Sequence, residues 1–188
     1  MKEPKLTYEA RLGKAFESEI RASLKFFQDL SRGELYWFRL MDFMDFYSVN
    51  RNMRARHQPG DFVMIRRGVP YLLECKSSRQ TGFRFEYVTD NQKACGSQFI
   101  AAGGRAYLLI RRDVKLTPFA QSESNFRDEV FAVDMNAFLD LEHKCLVLGR
   151  KSAMWDELRA RGKTLSPIKP KVWGLSALWE ARTLSSSP

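Results

Sequence analysis

Cysteine, histidine, acidic residues and long apolar runs are all scarce in this chain of 188 residues. Its three cysteines, Cys75, Cys95 and Cys145, are odd in number and widely spaced, which excludes a closed disulfide framework and shows no zinc-ligand spacing. A reducing, cytoplasmic setting is expected. No apolar run approaches the ~20 residues that span a bilayer, and the opening MKEPKLTYEARLGK has no apolar signal core. There is no internal repeat, and no low-complexity tract beyond Ser185-Ser186-Ser187-Pro188. Asp and Glu number 22 against 31 Lys and Arg, for a net charge of +9. That excess favours a polyanionic partner, either nucleic acid or an anionic membrane. What is present suits folding: 44% of residues are hydrophobic and 13% aromatic. One domain over 1–188 is expected, with a short flexible tail at 183–188.

The stretch from Pro59 to Ser78, PGDFVMIRRGVPYLLECKSS, reads as two strands about a tight turn at Arg66-Arg67-Gly68-Val69-Pro70. Side chains alternate along a strand, so Glu74 and Lys76 share one face while Leu73 and Cys75 share the other. If the strands pair about the turn, Asp61 approaches Glu74 across the ladder. Two carboxylates and a lysine then converge. One reading is a surface salt bridge, worth roughly 0–1 kcal/mol. The other is a divalent-metal site, with the lysine orienting water or offsetting phosphate charge. Leu72-Leu73 gives the second strand a buried character, and buried charges are costly unless they are paired or used.

The flanking segments are read from their periodicity. Phe16, Ile20, Leu24 and Phe27 mark one face of an amphipathic helix over Thr7–Leu30, with Glu17 and Glu19 beside it. Glu34–Leu40 is expected as a strand. Residues 41–58 fit a short helix or a projecting loop. They end in Arg51, Arg54 and Arg56, basic residues positioned to hold a phosphate backbone, with His57 as local support. Thr89 and Asp90 are candidate N-caps for a helix over Asn91–Ala102, closed by Gly103-Gly104. Arg105–Arg111 is an apolar strand, and the strand–helix–strand order predicts that it runs parallel to Tyr71–Lys76. Asp113–Asp128 reads as a loop, Glu129–Asp134 as a strand and Met135–Leu141 as a short helix.

Asp61…Glu74-Cys75-Lys76 resembles the PD-(D/E)xK nuclease signature. Gly13-Lys14-Ala15-Phe16-Glu17-Ser18-Glu19-Ile20 resembles the first-helix motif of Holliday junction resolvases in that superfamily. Gln92 fits the glutamine that opens the helix after their E-x-K strand. Gly149-Arg150-Lys151-Ser152, with Trp155, Gly162 and Pro170-Lys171-Val172-Trp173-Gly174-Leu175, is similar to the C-terminal part of RecU-type resolvases. It is not a P-loop, because the upstream glycine is absent. The resemblance runs from about Gly13 to Leu178. RecU proteins carry a longer stalk and a Thr-Thr-Asp context, whereas Gln58-Pro59-Gly60-Asp61 here is closer to Hjc-type resolvases, so both subfamilies stay open.

The resemblance implies an α/β fold of the restriction-endonuclease-like class, a mixed central β-sheet flanked by helices. It implies an endodeoxyribonuclease, acting in DNA recombination and repair, that resolves four-way DNA junctions by paired symmetric nicks. Mg²⁺ is the expected cofactor, with Mn²⁺ as a substitute. Metal binding is expected from Asp61, Glu74, the Cys75 carbonyl and Glu17, with Glu19 as the alternative to Glu17. Lys76 is expected to position water, and Gln92 to lie close by. Arg51, Arg54, Arg56, Arg79, Arg150 and Lys151 are expected to hold DNA. A homodimer follows from the need for two nicks, in the cytoplasm (of a host cell if phage-encoded), with no membrane and no nucleotide cofactor. Two rivals stand beside this: a restriction or repair nuclease of the same superfamily, and a basic DNA-binding module without catalysis.

Overall fold

The structure is a computed structural model and describes residues 7–40, 59–113 and 128–179. Thr7 caps the first helix, α1 (Tyr8–Leu30), by accepting a hydrogen bond from the Ala10 amide at 3.3 Å. The apolar stripe of α1 behaves as its spacing requires. Phe16, Ile20 and Leu24 are fully buried, each contributing about 1.5–3 kcal/mol by leaving water. After β1 (Leu35–Arg39) the described chain resumes with β2 (Phe62–Arg66) and β3 (Val69–Ser78). These two strands form a hairpin whose loop is only Arg67-Gly68. Both residues have positive φ, 50° and 78°, as a type I′ turn demands. That turn fixes Phe62 opposite Leu73 and Arg66 opposite Val69.

Downstream lie β4 (Gly82–Arg84), a single 3₁₀ turn at Phe85–Tyr87, and α2 (Asp90–Ala101). Next come β5 (Arg105–Arg112), β6 (Glu129–Asp134), α3 (Met135–Val147), β7 (Ser152–Met154) and α4 (Trp155–Arg161). Three short strands, β8 (Lys163–Leu165), β9 (Pro167–Lys169) and β10 (Val172–Trp173), precede a closing 3₁₀ turn at Leu175–Leu178. The main sheet has six strands in the order β1-β2-β3-β5-β6-β8. Only the β3–β5 pair is parallel, as the crossover through α2 requires. Two small sheets, β9–β10 and β4–β7, lie outside it. The described residues therefore form a mixed α/β structure with a mixed central sheet and four α-helices.

A core packs on each face of the sheet. On one, Phe16, Ile20 and Leu24 of α1 meet Leu73, Cys75, Leu109, Trp173 and Leu175. On the other, Leu72, Leu108 and Ile110 meet Phe83, Phe85, Phe138 and Trp155. β3 is thus buried on both sides, and Glu74 shares the face of Leu72.

Several boundaries differ from the sequence reading. β3 runs on to Ser78. α3 runs six residues past Leu141, to Val147, and ends in a Schellman arrangement: the Gly149 amide donates to the Leu146 carbonyl and the Arg150 amide to the Cys145 carbonyl, both at 2.9 Å. Within the segment 83–87, Phe83 and Phe85 are core residues. Residues 41–58, and most of the loop expected between Asp113 and Asp128, lie outside the described residues.

Candidate active site

Asp61 stands just before β2, and two backbone hydrogen bonds fix it. Its amide donates to the Leu73 carbonyl at 2.9 Å, and its carbonyl accepts from the Leu40 amide at 2.8 Å. Gly60 makes this close approach feasible, since a Cβ there would sit 2.9 Å from Leu72 Cδ1 and 3.1 Å from the Leu73 carbonyl oxygen. The Asp61 carboxylate then reaches over the strand, and its Oδ2 accepts the Cys75 amide at 2.6 Å.

Glu74 is 4% exposed. Its Oε1 accepts from Lys76 Nζ at 2.7 Å and from Gln92 Nε2 at 2.6 Å. Its Oε2 is buried with no hydrogen-bond partner among the described residues. Gln92 is aimed by its own helix end. It forms a capping box with Thr89, in which Gln92 Oε1 accepts the Thr89 amide at 3.0 Å and Thr89 Oγ1 accepts the Gln92 amide at 3.3 Å. With the oxygen so occupied, the amide nitrogen of Gln92 is left to face Glu74.

Burial dominates the electrostatics. It pushes the Asp61 carboxyl from 3.8 up to about 7, helped by the nearby Glu74 charge and opposed by the Cys75 amide, Lys76 and Arg39. Burial also raises Glu74, against the pull of Lys76 and the Gln92 hydrogen bond, while Glu17 adds to the rise. The Cys75 thiol is driven far above its ordinary range by burial and then by Asp61, Glu74 and Glu17. The Cys75 side chain packs in the apolar core against α1. Any metal here would meet oxygen donors.

The two glutamates of α1 part company. Glu17 lines a cleft of about 690 Å³ together with Cys75 and Lys76, and its Oε2 lies 3.3 Å from Arg39 Nη2. Glu19 turns elsewhere: Arg111 Nη1 lies 3.2 Å from its Oε1, and Trp173 Nε1 donates to its Oε2 at 3.0 Å. Asp61 and Glu74 form a carboxylate pair. Among the described residues, no group of three or more His, Cys, Asp or Glu side chains forms a ready metal cage.

Arg79 lines the cleft and is held by Asp113 Oδ2 at 2.5 Å. Arg150 is employed elsewhere. It makes two hydrogen bonds to Glu157, at 2.7 and 3.0 Å, and another to Cys145 Sγ at 3.1 Å, tying the end of α3 to α4. Lys151 is exposed, and its carbonyl accepts the Phe85 amide at 3.2 Å. Neither Arg150 nor Lys151 lines the cleft. Arg51, Arg54, Arg56 and His57 lie outside the described residues.

Sequence reasoning passed over Arg39, Lys14, Ser77 and Tyr87. The last three line the cleft. Lys14 had a readable signal, because it precedes Glu17 by three residues and so shares its face of α1. Tyr87 had none. Compared with known protein families and with curated proteins, the chain matches no family model and no curated protein.

Proposed function

We propose that this chain is a Mg²⁺-dependent endodeoxyribonuclease of the restriction-endonuclease-like class that resolves four-way DNA junctions. One observation carries the reading: a carboxylate pair, the partly buried Asp61 and the buried Glu74, in which Glu74 keeps one oxygen without a partner among the described residues, beside Lys76. A fold tolerates such an atom where something else is to be bound. The donor set suits a hard cation, namely two carboxylates and the Cys75 carbonyl, with Glu17 at the cleft wall and the thiol neutral. Asp61 and Glu74 would hold Mg²⁺, or Mn²⁺ in its place. Once bound, the ion supplies charge neutralisation at a phosphoryl group and a lowered pKa for water.

The chain's own residues do the positioning. Gln92 holds Glu74 in one orientation. Lys76, partly exposed at the cleft and anchored on Glu74 Oε1, presents an ammonium to the substrate phosphate and to the attacking water. Hydrolysis adds water to phosphorus and breaks one ester P–O bond. Arg79 borders the same cleft, and the +9 net charge draws DNA to it. Two symmetric nicks need two such sites, so a homodimer belongs to the proposal.

The deciding assay compares a four-way junction with its matched linear duplex, with and without Mg²⁺. Paired nicks in the junction alone, lost in Asp61→Asn and Glu74→Gln while binding persists, are the expected result. Unimpaired cutting by either variant sinks the site assignment. A second reading, a nuclease of the same superfamily acting on duplex or flap DNA, is favoured by the pairing of Arg150 with Glu157 and by the place of Arg150 and Lys151 outside the cleft lining. Equal cutting of junction and duplex would select it.

A further inference from the structure

The cleft beside the carboxylates has walls of different chemistry. On the α1 side stand Lys14 and Glu17, and on the β3 side Lys76, Ser77 and Arg79. Tyr87, at the end of the 3₁₀ turn, completes the lining. Its ring is braced edge-on against Phe83, with centroids 5.6 Å apart and planes at 81°, and Phe83 is itself fully buried. The aromatic wall is therefore fixed. Lys14 is exposed and has no ion pair among the described residues, in contrast to Lys76 and Arg79, which are paired. At about 690 Å³ the cleft falls in the range that encloses a small ligand. An unpaired cation, a hydroxyl and a braced aromatic ring in one such space match the phosphate, sugar and base of a nucleotide.

We infer that this cleft takes one unstacked nucleotide of a DNA strand, with Lys14 on a phosphate and the Tyr87 ring against the base. The inference rests on the nuclease reading and names what that site selects. A base within intact duplex offers only its edges in the grooves. Its flat face meets an aromatic side chain only after leaving the stack, at a cost of a few kcal/mol that is smallest where pairing is already disrupted. A fixed aromatic wall thereby turns the cost of unstacking into a preference for branched or single-stranded DNA.

The test reads binding in EDTA, so it does not depend on cleavage. The full chain is titrated with a fluorescent thymidine hexanucleotide and with an abasic hexamer of the same charge. The wild type should bind the thymidine strand about five- to 100-fold more tightly. Tyr87→Leu should abolish that difference and leave abasic binding unchanged, while Tyr87→Phe retains it. Lys14→Ala should weaken both strands alike and flatten the salt dependence by about 0.7 in the log–log slope, one phosphate on a single strand. Equal wild-type binding of the two strands overturns the inference, and so does a Tyr87→Leu loss shared by both. A chain that shows the Tyr87 signature but cuts no junction in Mg²⁺ would fail the nuclease reading alone.

Discussion

Glu19 has both of its carboxylate oxygens engaged, one by the Arg111 guanidinium and the other by the Trp173 indole. Arg111 is 4% exposed and also donates to the Leu12 carbonyl at 3.2 Å. The network continues through Ser23, whose hydroxyl donates to the Glu19 carbonyl and accepts the Trp173 amide, both at 2.8 Å. For the Glu74 carboxylate, judged against the described residues, the arrangement is the reverse. Lys76 and Gln92 crowd onto one oxygen, the other has no partner, and a second carboxylate is held nearby. The first cluster fastens α1 to β5 and to the C-terminal strands. The second leaves one buried carboxylate oxygen without a hydrogen-bond partner among the described residues. Two acidic clusters in one chain thus differ in whether the carboxylate finds a partner for each of its oxygens.

The sharpest way to break this contrast is to unbalance the cluster around Glu19, whose carboxylate is satisfied although Arg111 Nε has no hydrogen-bond partner among the described residues. Arg111→Ala leaves the partly buried Glu19 with half of its partners gone, and should lower stability by about 1–3 kcal/mol in urea unfolding. A loss below about 1 kcal/mol would mean that the network adds little. In the other cluster the effects should be opposite in kind. Glu74→Gln should reduce Mg²⁺-dependent junction cutting by roughly 10²- to 10³-fold, while its urea midpoint holds or rises, because a buried charge has been removed. A clear fall in the midpoint would make Glu74 a structural residue like Glu19.

Acidity probes the same difference. Asp61 has a pKa of about 7 in the folded state against 3.8 as the reference. The folded protein therefore holds more protons between those values, so stability falls as pH rises from about 4 to about 7. The fall should amount to a few kcal/mol at most. Urea midpoints in EDTA at pH 5 and pH 8 should show it, and Asp61→Asn should flatten it. A variant slope equal to the wild-type slope would assign the effect to other groups. The smallest effect is at Gln92. Gln92→Glu keeps a capping-box side chain but sets a second carboxylate against Glu74, so α2 should hold while cutting falls roughly 10- to 100-fold, the scale for residues that orient ligands. Unchanged cutting would reduce Gln92 to a helix cap.

Much of the arrangement around Asp61 and Glu74 was legible in the sequence, because short-range chemistry sets it. Arg67-Gly68 dictates a two-residue turn, the turn dictates register, and register brings Asp61 opposite the Glu74 segment. The β3–α2–β5 crossover was legible for the same kind of reason, since length and capping signals constrain it. The choice between Glu17 and Glu19 was not legible. They lie two residues apart on one helix, and what separates their roles is Arg111 and Trp173, far away in the chain. The Glu157 partner of Arg150 was not legible in Gly149-Arg150-Lys151-Ser152, because a basic pair carries no mark of its partner and Glu157 reaches it only when α4 packs beside α3. The strands β4, β7 and β8 have three residues each, too few to show a period of two.

The two-residue turn also bears on the order in which the molecule assembles. A hairpin closes on the microsecond scale from contacts near in sequence, whereas a parallel pair such as β3–β5 waits for its crossover. Asp61 and Glu74 therefore belong to one local unit, a candidate folding nucleus, which Gln92 joins only through the crossover. Their mutual repulsion acts against that nucleus, so neutralising either one should speed folding more than it slows unfolding.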